Sequence, residues 1–154
     1  MKFKPYILAV LLTETLGIIT GLVIRNGVEI YSTLPKPALS PPAIVFPIVW
    51  TILYALMGIG LARIWLQPSS SERNMGLNLF WLQLFFNLMW SIIFFNFQAF
   101  GFAFFWILGL WVLILAMIIV WNKVDSLAAK LQIPYLLWVT FAAYLNYSVW
   151  MMNQ

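Results

Sequence analysis

The sequence predicts an all-α integral membrane protein, a five-transmembrane-helix bundle forming a single domain. Three observations carry that expectation. Of 154 residues, 64% are hydrophobic and 8% charged, whereas a soluble domain is about a quarter charged. The apolar residues form continuous helix-length runs, while an outer-membrane barrel shows short strands of alternating polarity. Five such runs can be placed, at about 5–24, 42–65, 77–97, 101–121 and 133–152, with short polar segments between most of them.

The first run follows Lys2 and Lys4 and carries no A-x-A cleavage site, so it reads as a retained helix rather than a signal peptide. Glu14 lies within it among apolar neighbours. A carboxylate at membrane depth is costly and normally faces the bundle interior or a wet cavity. Glu14 is therefore either a proton or cation site or a neutral carboxyl packed between helices. Thr13, Gly17 and Gly21 make a stripe of small residues along which another helix can approach closely.

Residues 25–41 form the first loop. Pro35, Pro37, Pro41 and Pro42 each fix φ, remove a backbone donor and push the preceding residue out of the helical basin. Residues 34–41 should therefore be stiff and extended, with Pro41 or Pro42 in the first turn of the second span. Phe46, Trp50 and Tyr54 then recur every four residues on one helical face. A rigid loop holding Pro37, Leu39, Pro41 and Pro42 above that aromatic face reads as a lid over a pocket.

QPSSSERNMG at 67–76 is a polar connector. In the third span Gln83, Asn87 and Ser91 recur every four residues, with Trp90 and Phe94 beside them. Such a stripe faces protein rather than acyl chains, either bonding helix to helix or contacting a ligand. Asn87 is the better contact because an amide both donates and accepts. The fourth span has no strongly polar side chain, which suits the lipid side of a bundle, and Trp121 at its end suits an interfacial anchor. After the turn at 122–132, the fifth span sets Pro134, Trp138, Ala142 and Asn146 on one face.

Five spans place six basic residues on the N-terminal side (Lys2, Lys4, Arg63, Arg73, Lys123, Lys130) and two on the other (Arg25, Lys36). The positive-inside rule then puts the N-terminus in the cytoplasm and the proline loop outside. Histidine and cysteine are absent, which excludes disulfides, thiol nucleophiles, the usual zinc sites and His- or Cys-ligated haem. With four carboxylates besides, no nucleophile-base-acid set can be assembled, and neither a metal site nor an obligatory cofactor is expected. The charge of +4 rests on few groups and speaks to membrane orientation, not nucleic acid. Most of the nine Trp, thirteen Phe and six Tyr suit aromatic belts. Trp50, Tyr54, Trp90 and Trp138 differ, because each shares a face with polar or small residues. Converging, those faces would enclose an apolar pocket for a flat hydrophobic ligand.

Several motifs, in order across nearly the whole chain, resemble the translocator protein family, also called tryptophan-rich sensory proteins or peripheral benzodiazepine receptors. Lys36-Pro37-Ala38-Leu39-Ser40-Pro41-Pro42 is similar to KPxWxPP, and Pro47-Ile48-Val49-Trp50 through Leu53-Tyr54 and Met57-Gly58 to PxVWxxLYxxMG. Gln83, Asn87, Trp90, Ser91, Phe94 and Phe95 follow QxxxNxxWSxxFF, and residues 134–147 follow PYLxWxxFAxxLNY. The resemblance implies five membrane helices that commonly pair as a homodimer, in a bacterial plasma membrane or, in a eukaryote, the mitochondrial outer membrane. It implies binding of porphyrins such as protoporphyrin IX and of drug-like molecules, in tetrapyrrole sensing, transport or scavenging. The pocket carried over comprises Trp50, Tyr54, Asn87, Trp90, Trp138 and Ala142, to which the face patterns add Phe46 and Phe94.

This sequence departs from the family at Leu39, where tryptophan is usual, and at Trp106, where many members have an acid. Tyr147 is followed by SVWMMNQ, with no basic residue to complete a sterol-type motif, so cholesterol is not expected. Some bacterial members are described as degrading porphyrin in light through pocket tryptophans, an activity that Leu39 puts in question. A further alternative rests on YILAVLLTETLG, which resembles the first helix of small multidrug transporters and would make Glu14 a proton-coupling site.

Overall fold

A computed structural model describes residues 2–154, and among them it is all-helical. Its elements are α1 (Lys4–Val23), α2 (Arg25–Tyr31), α3 (Val45–Trp65), α4 (Ser71–Ser91) continued by a π-helical turn (Ile92–Asn96), α5 (Phe100–Asn122), α6 (Ser126–Lys130) and α7 (Ile133–Met152). Four helices, α1, α3, α4 with its π turn, and α5, are long and apolar enough to cross a membrane. α7 matches them in length, but Tyr135, Trp138, Tyr144, Asn146, Tyr147 and Trp150 keep its hydropathy below theirs.

α1 lies along α3 because small residues let the backbones meet. A Cβ on Gly58 would stand 2.6 Å from Val10 Cα, and one on Gly17 2.7 Å from the Tyr54 ring. Thr13 Oγ1 also donates to the Tyr54 carbonyl at 2.7 Å. Gly21, the last member of the predicted stripe, faces open space. α5 packs between α4 and α7. Trp106 stacks on Phe86 with ring centres 4.2 Å apart and donates to the Phe86 carbonyl.

Helix boundaries shift for identifiable reasons. α3 begins at Val45, not Pro42, which places Pro47 in its first turn. A start at Pro42 would put Pro47 where its ring opposes a carbonyl of the preceding turn. Arg25–Tyr31 of the expected loop is helical, since prolines begin only at Pro35. Lys36 then closes α2, its ammonium donating to the carbonyls of Tyr31, Ser32 and Leu34. α4 begins at Ser71, six residues before the expected start, because the Ser70 hydroxyl caps it by accepting from Arg73 N at 3.1 Å. The 122–132 turn contains α6, capped by Asp125, which also pairs with Arg63 at 2.8 Å.

Two expectations for the fourth span are corrected. α5 buries a full stripe, Ala103, Ile107, Leu110, Ile114 and Met117, and exposes Phe102, Phe105 and Val112 on its other side. A uniformly apolar sequence carries no mark of which face meets protein. Trp121 is no interfacial anchor. It is fully buried, stacks on Phe80 and donates from Nε1 to the Gly76 carbonyl at 3.0 Å, in space left by Gly60 and Gly76.

Gly58→Val should therefore push α1 off α3 and cost about 1–3 kcal/mol of overpacking, while Gly21→Ala should be close to neutral. Thermal unfolding of the two variants in one detergent checks the contrast.

Candidate functional site

The centre of the bundle holds a chain of polar side chains drawn from three helices. Tyr54 of α3 donates from its hydroxyl to Asn87 Oδ1 of α4 at 2.7 Å. Asn87 Nδ2 donates to the Tyr135 hydroxyl of α7 at 2.8 Å, and that hydroxyl donates to Gln83 Oε1 at 2.7 Å. All four residues are buried, so each bond replaces solvation that an apolar surround withholds. The polar stripe of α4 thus faces protein: Gln83 and Asn87 lie one turn apart on the same buried face.

Aromatic rings flank the chain on two sides. On one, Trp50 lies 5.6 Å from Tyr54, 6.3 Å from Tyr135 and 6.5 Å from Trp138, edge-on to the last two. Phe46 and Phe141 close on Trp138 at 5.8 and 5.6 Å. On the other, Trp90 stacks on Phe94 at 5.1 Å, and Phe94 meets Tyr31 and Phe100 at 5.5 and 4.9 Å. Trp90 Nε1 donates to Asn146 Oδ1 at 2.9 Å, and Asn146 Nδ2 donates to the Phe100 carbonyl at 2.8 Å. The π turn carries Phe94 and Phe95 to Tyr31, and Gly27 admits the Phe95 carbonyl closely. π turns often mark functional sites.

Two polar atoms of this region remain unanswered. Trp138 Nε1 and Gln83 Nε2 are buried donors without a hydrogen-bond partner among the described residues. Trp138 also lines an apolar groove of about 420 Å³ between α3 and α7, with Val49, Ile52, Leu53, Pro134, Leu137 and Phe141.

The sequence-predicted residues fall into three groups. Phe46, Trp50, Tyr54 and Trp138 meet in one aromatic cluster, Trp90 and Phe94 in the second, and Asn87 bonds to the first through Tyr54. Ala142 is buried one turn beyond Trp138. In the loop, Ser40 N donates to the Pro37 carbonyl in a turn, and Asn153 of the segment after α7 donates to the Pro35 carbonyl. Leu39 is 68% exposed, and Pro42 is exposed as well. Glu14 is half-buried on α1, beside Thr13, and makes no hydrogen bond or ion pair among the described residues.

Tyr31, Gln83, Phe100, Tyr135 and Asn146 belong to the arrangement but not to the predicted set. Gln83 and Asn146 had a signal, each lying on a singled-out face. Tyr31, Phe100 and Tyr135 join through contacts between elements distant in sequence, which spacing along one helix does not reveal.

Comparisons with known proteins agree along most of the chain. A family model described as the TspO/MBR family matches residues 9–151. The chain is 40% identical over 127 residues to the tryptophan-rich protein TspO of Chlorobaculum tepidum, covering 80% of this chain and 78% of that one. It is 36% identical over 146 residues to the translocator protein of Homo sapiens, covering 92% and 86%. Protein CrtK of Rhodobacter capsulatus is 34% identical over 135 residues, covering 87% and 84%.

Asn146→Leu should leave the Trp90 indole unpaired in the interior and cost about 1–3 kcal/mol, while the Phe100 carbonyl keeps its backbone bond within α5. Trp111→Phe, which removes an exposed bond to Thr140, should stay within about 0.5 kcal/mol. Unfolding in denaturant at fixed detergent distinguishes them.

Proposed function

The chain belongs to the TspO/MBR family, and from that premise we propose that it binds a flat, hydrophobic tetrapyrrole between α3, α4 and α7. In this reading it senses, carries or scavenges that ligand and is not a conventional enzyme. The observation that supports it most is Trp138: a buried indole donor without a partner, in a ring that belongs both to the Trp50 cluster and to the lateral groove. Buried donors are rarely left unmet, and a ligand carboxylate or ring nitrogen would meet this one. The rings of Trp50 and Trp138 supply apolar area at little entropic cost. With no histidine or cysteine to ligate iron, metal-free porphyrin should bind at least as well as haem.

The same reading makes α7 a fifth span. Twenty residues of helix reach about 30 Å, the thickness of the hydrocarbon core. Tyr135 and Asn146, which lower its hydropathy, are buried and bonded to neighbouring helices. Five spans, with the N-terminus cytoplasmic, keep most cations inside. Pairing as a homodimer is part of the proposal.

Titration of the purified protein with protoporphyrin IX, followed by tryptophan quenching, tests the assignment. Saturable quenching is expected, weakened several-fold in Trp138→Phe, which keeps a ring but removes one hydrogen bond of about 1 kcal/mol. Trp138→Ala should weaken it further. No saturable quenching, or unchanged affinity in both variants, would overturn the proposal.

A further inference from the structure

A second groove lies at the opposite end of the bundle from the proline loop, where α1 begins, α3 ends and α4 begins. It measures about 410 Å³, and Leu8, Leu12, Leu61, Trp65 and Trp81 are among its lining residues. Leu8, Leu12, Trp65 and Trp81 are all exposed. One charged residue lines it, Lys4, which makes no hydrogen bond or ion pair among the described residues. Arg73 stands over one wall, its guanidinium carbon 5.1 Å from the centre of the Trp65 ring. Two of its nitrogens donate to the carbonyls of Ile64 and Trp65, which leaves further guanidinium protons for another acceptor.

The charge around this groove is lopsided. Lys2, Lys4, Arg63, Arg73, Lys123 and Lys130 share this end of the bundle with two carboxylates, Glu72 and Asp125. Asp125 is engaged by Arg63 at 2.8 Å, and Glu72 accepts from the Ser71 hydroxyl. An apolar cleft between helix ends, rimmed by tryptophan and lysine, matches the acyl chain and headgroup of a lipid lying at the interface. Basic pockets between spans on the positively charged side select anionic headgroups. A second copy docking symmetrically here would bring a second Lys4 and Arg73 against the first, a like-charge contact.

We propose that this groove is a site for an anionic phospholipid, its acyl chain along Leu8, Leu12 and Leu61 and its phosphate between Lys4 and Arg73. The site is separate from the aromatic cluster and shares no residue with it.

Native mass spectrometry of the full chain, from micelles doped with equal palmitoyl-oleoyl phosphatidylglycerol and phosphatidylcholine, tests this. The unaltered protein should retain one phosphatidylglycerol with a preference of about fivefold, the effect of one lysine near an anionic surface. Lys4→Gln should bring that preference close to parity, and Leu8→Trp, at an exposed position that fills the groove, should reduce retention of both lipids. Lys130→Gln, at the same end but outside the groove, should change neither. Equal retention by the unaltered protein would overturn the proposal, as would an equal loss in Lys130→Gln, which means diffuse surface charge. Efficient disulfide dimerisation of Leu8→Cys through this face would overturn it too, by showing that a second copy is the occupant.

Discussion

A primary amide within a membrane-spanning bundle can be satisfied only by other parts of the protein, and Asn87 meets that demand by reaching two helices at once. Its oxygen accepts from Tyr54 of α3, and its nitrogen donates to Tyr135 of α7. No water competes in hydrocarbon, so rotating any of the three helices would strand buried polar groups. Asn87 therefore helps set the rotation of α3, α4 and α7, together with the Tyr135–Gln83 and Trp90–Asn146 bonds between α4 and α7. Trp50 sits one turn from Tyr54, Trp90 three residues from Asn87, and Trp138 three residues from Tyr135. The aromatic clusters are placed where they are because the polar chain is.

Packing elsewhere serves that geometry. Small residues draw α1 onto α3, and Thr13 donates to the carbonyl of Tyr54, the residue that begins the polar chain. Indole N–H groups of Trp90, Trp106 and Trp121 reach acceptors on other helices and act as cross-links as well as space fillers. Apart from Glu14, the charged side chains of the membrane-length helices gather at helix ends. Arg63–Asp125 ties α3 to α6, and Lys36 closes α2 beneath the proline loop. Polar bonding thus sets the interior, and charge sets the two faces.

Much of this could be read from the residues alone, because each legible feature is local. Helix-length apolar runs, the inward stripe of Gln83 and Asn87, and the aromatic face of Phe46, Trp50 and Tyr54 depend on positions within one helix. The parts that escaped are relational. Trp121 looked like an anchor because it ends an apolar run, and only the facing Gly60 and Gly76 reveal the slot that buries it. α2 was hidden by reading the whole connection as proline-governed, although Arg25–Tyr31 contains no proline.

The claim that Asn87 couples α3 to α7 is tested most directly by a double-mutant cycle on Tyr54→Phe and Tyr135→Phe, read by reversible unfolding in detergent. Tyr54→Phe leaves Asn87 Oδ1 unmet and should cost about 1 kcal/mol. Tyr135→Phe leaves both Asn87 Nδ2 and Gln83 Oε1 unmet and should cost about 2 kcal/mol. The double variant should depart from their sum by more than about 0.5 kcal/mol, as expected within one hydrogen-bond network. Additivity within about 0.3 kcal/mol, the behaviour of independent sites, would contradict the coupling and with it the structural basis for the site.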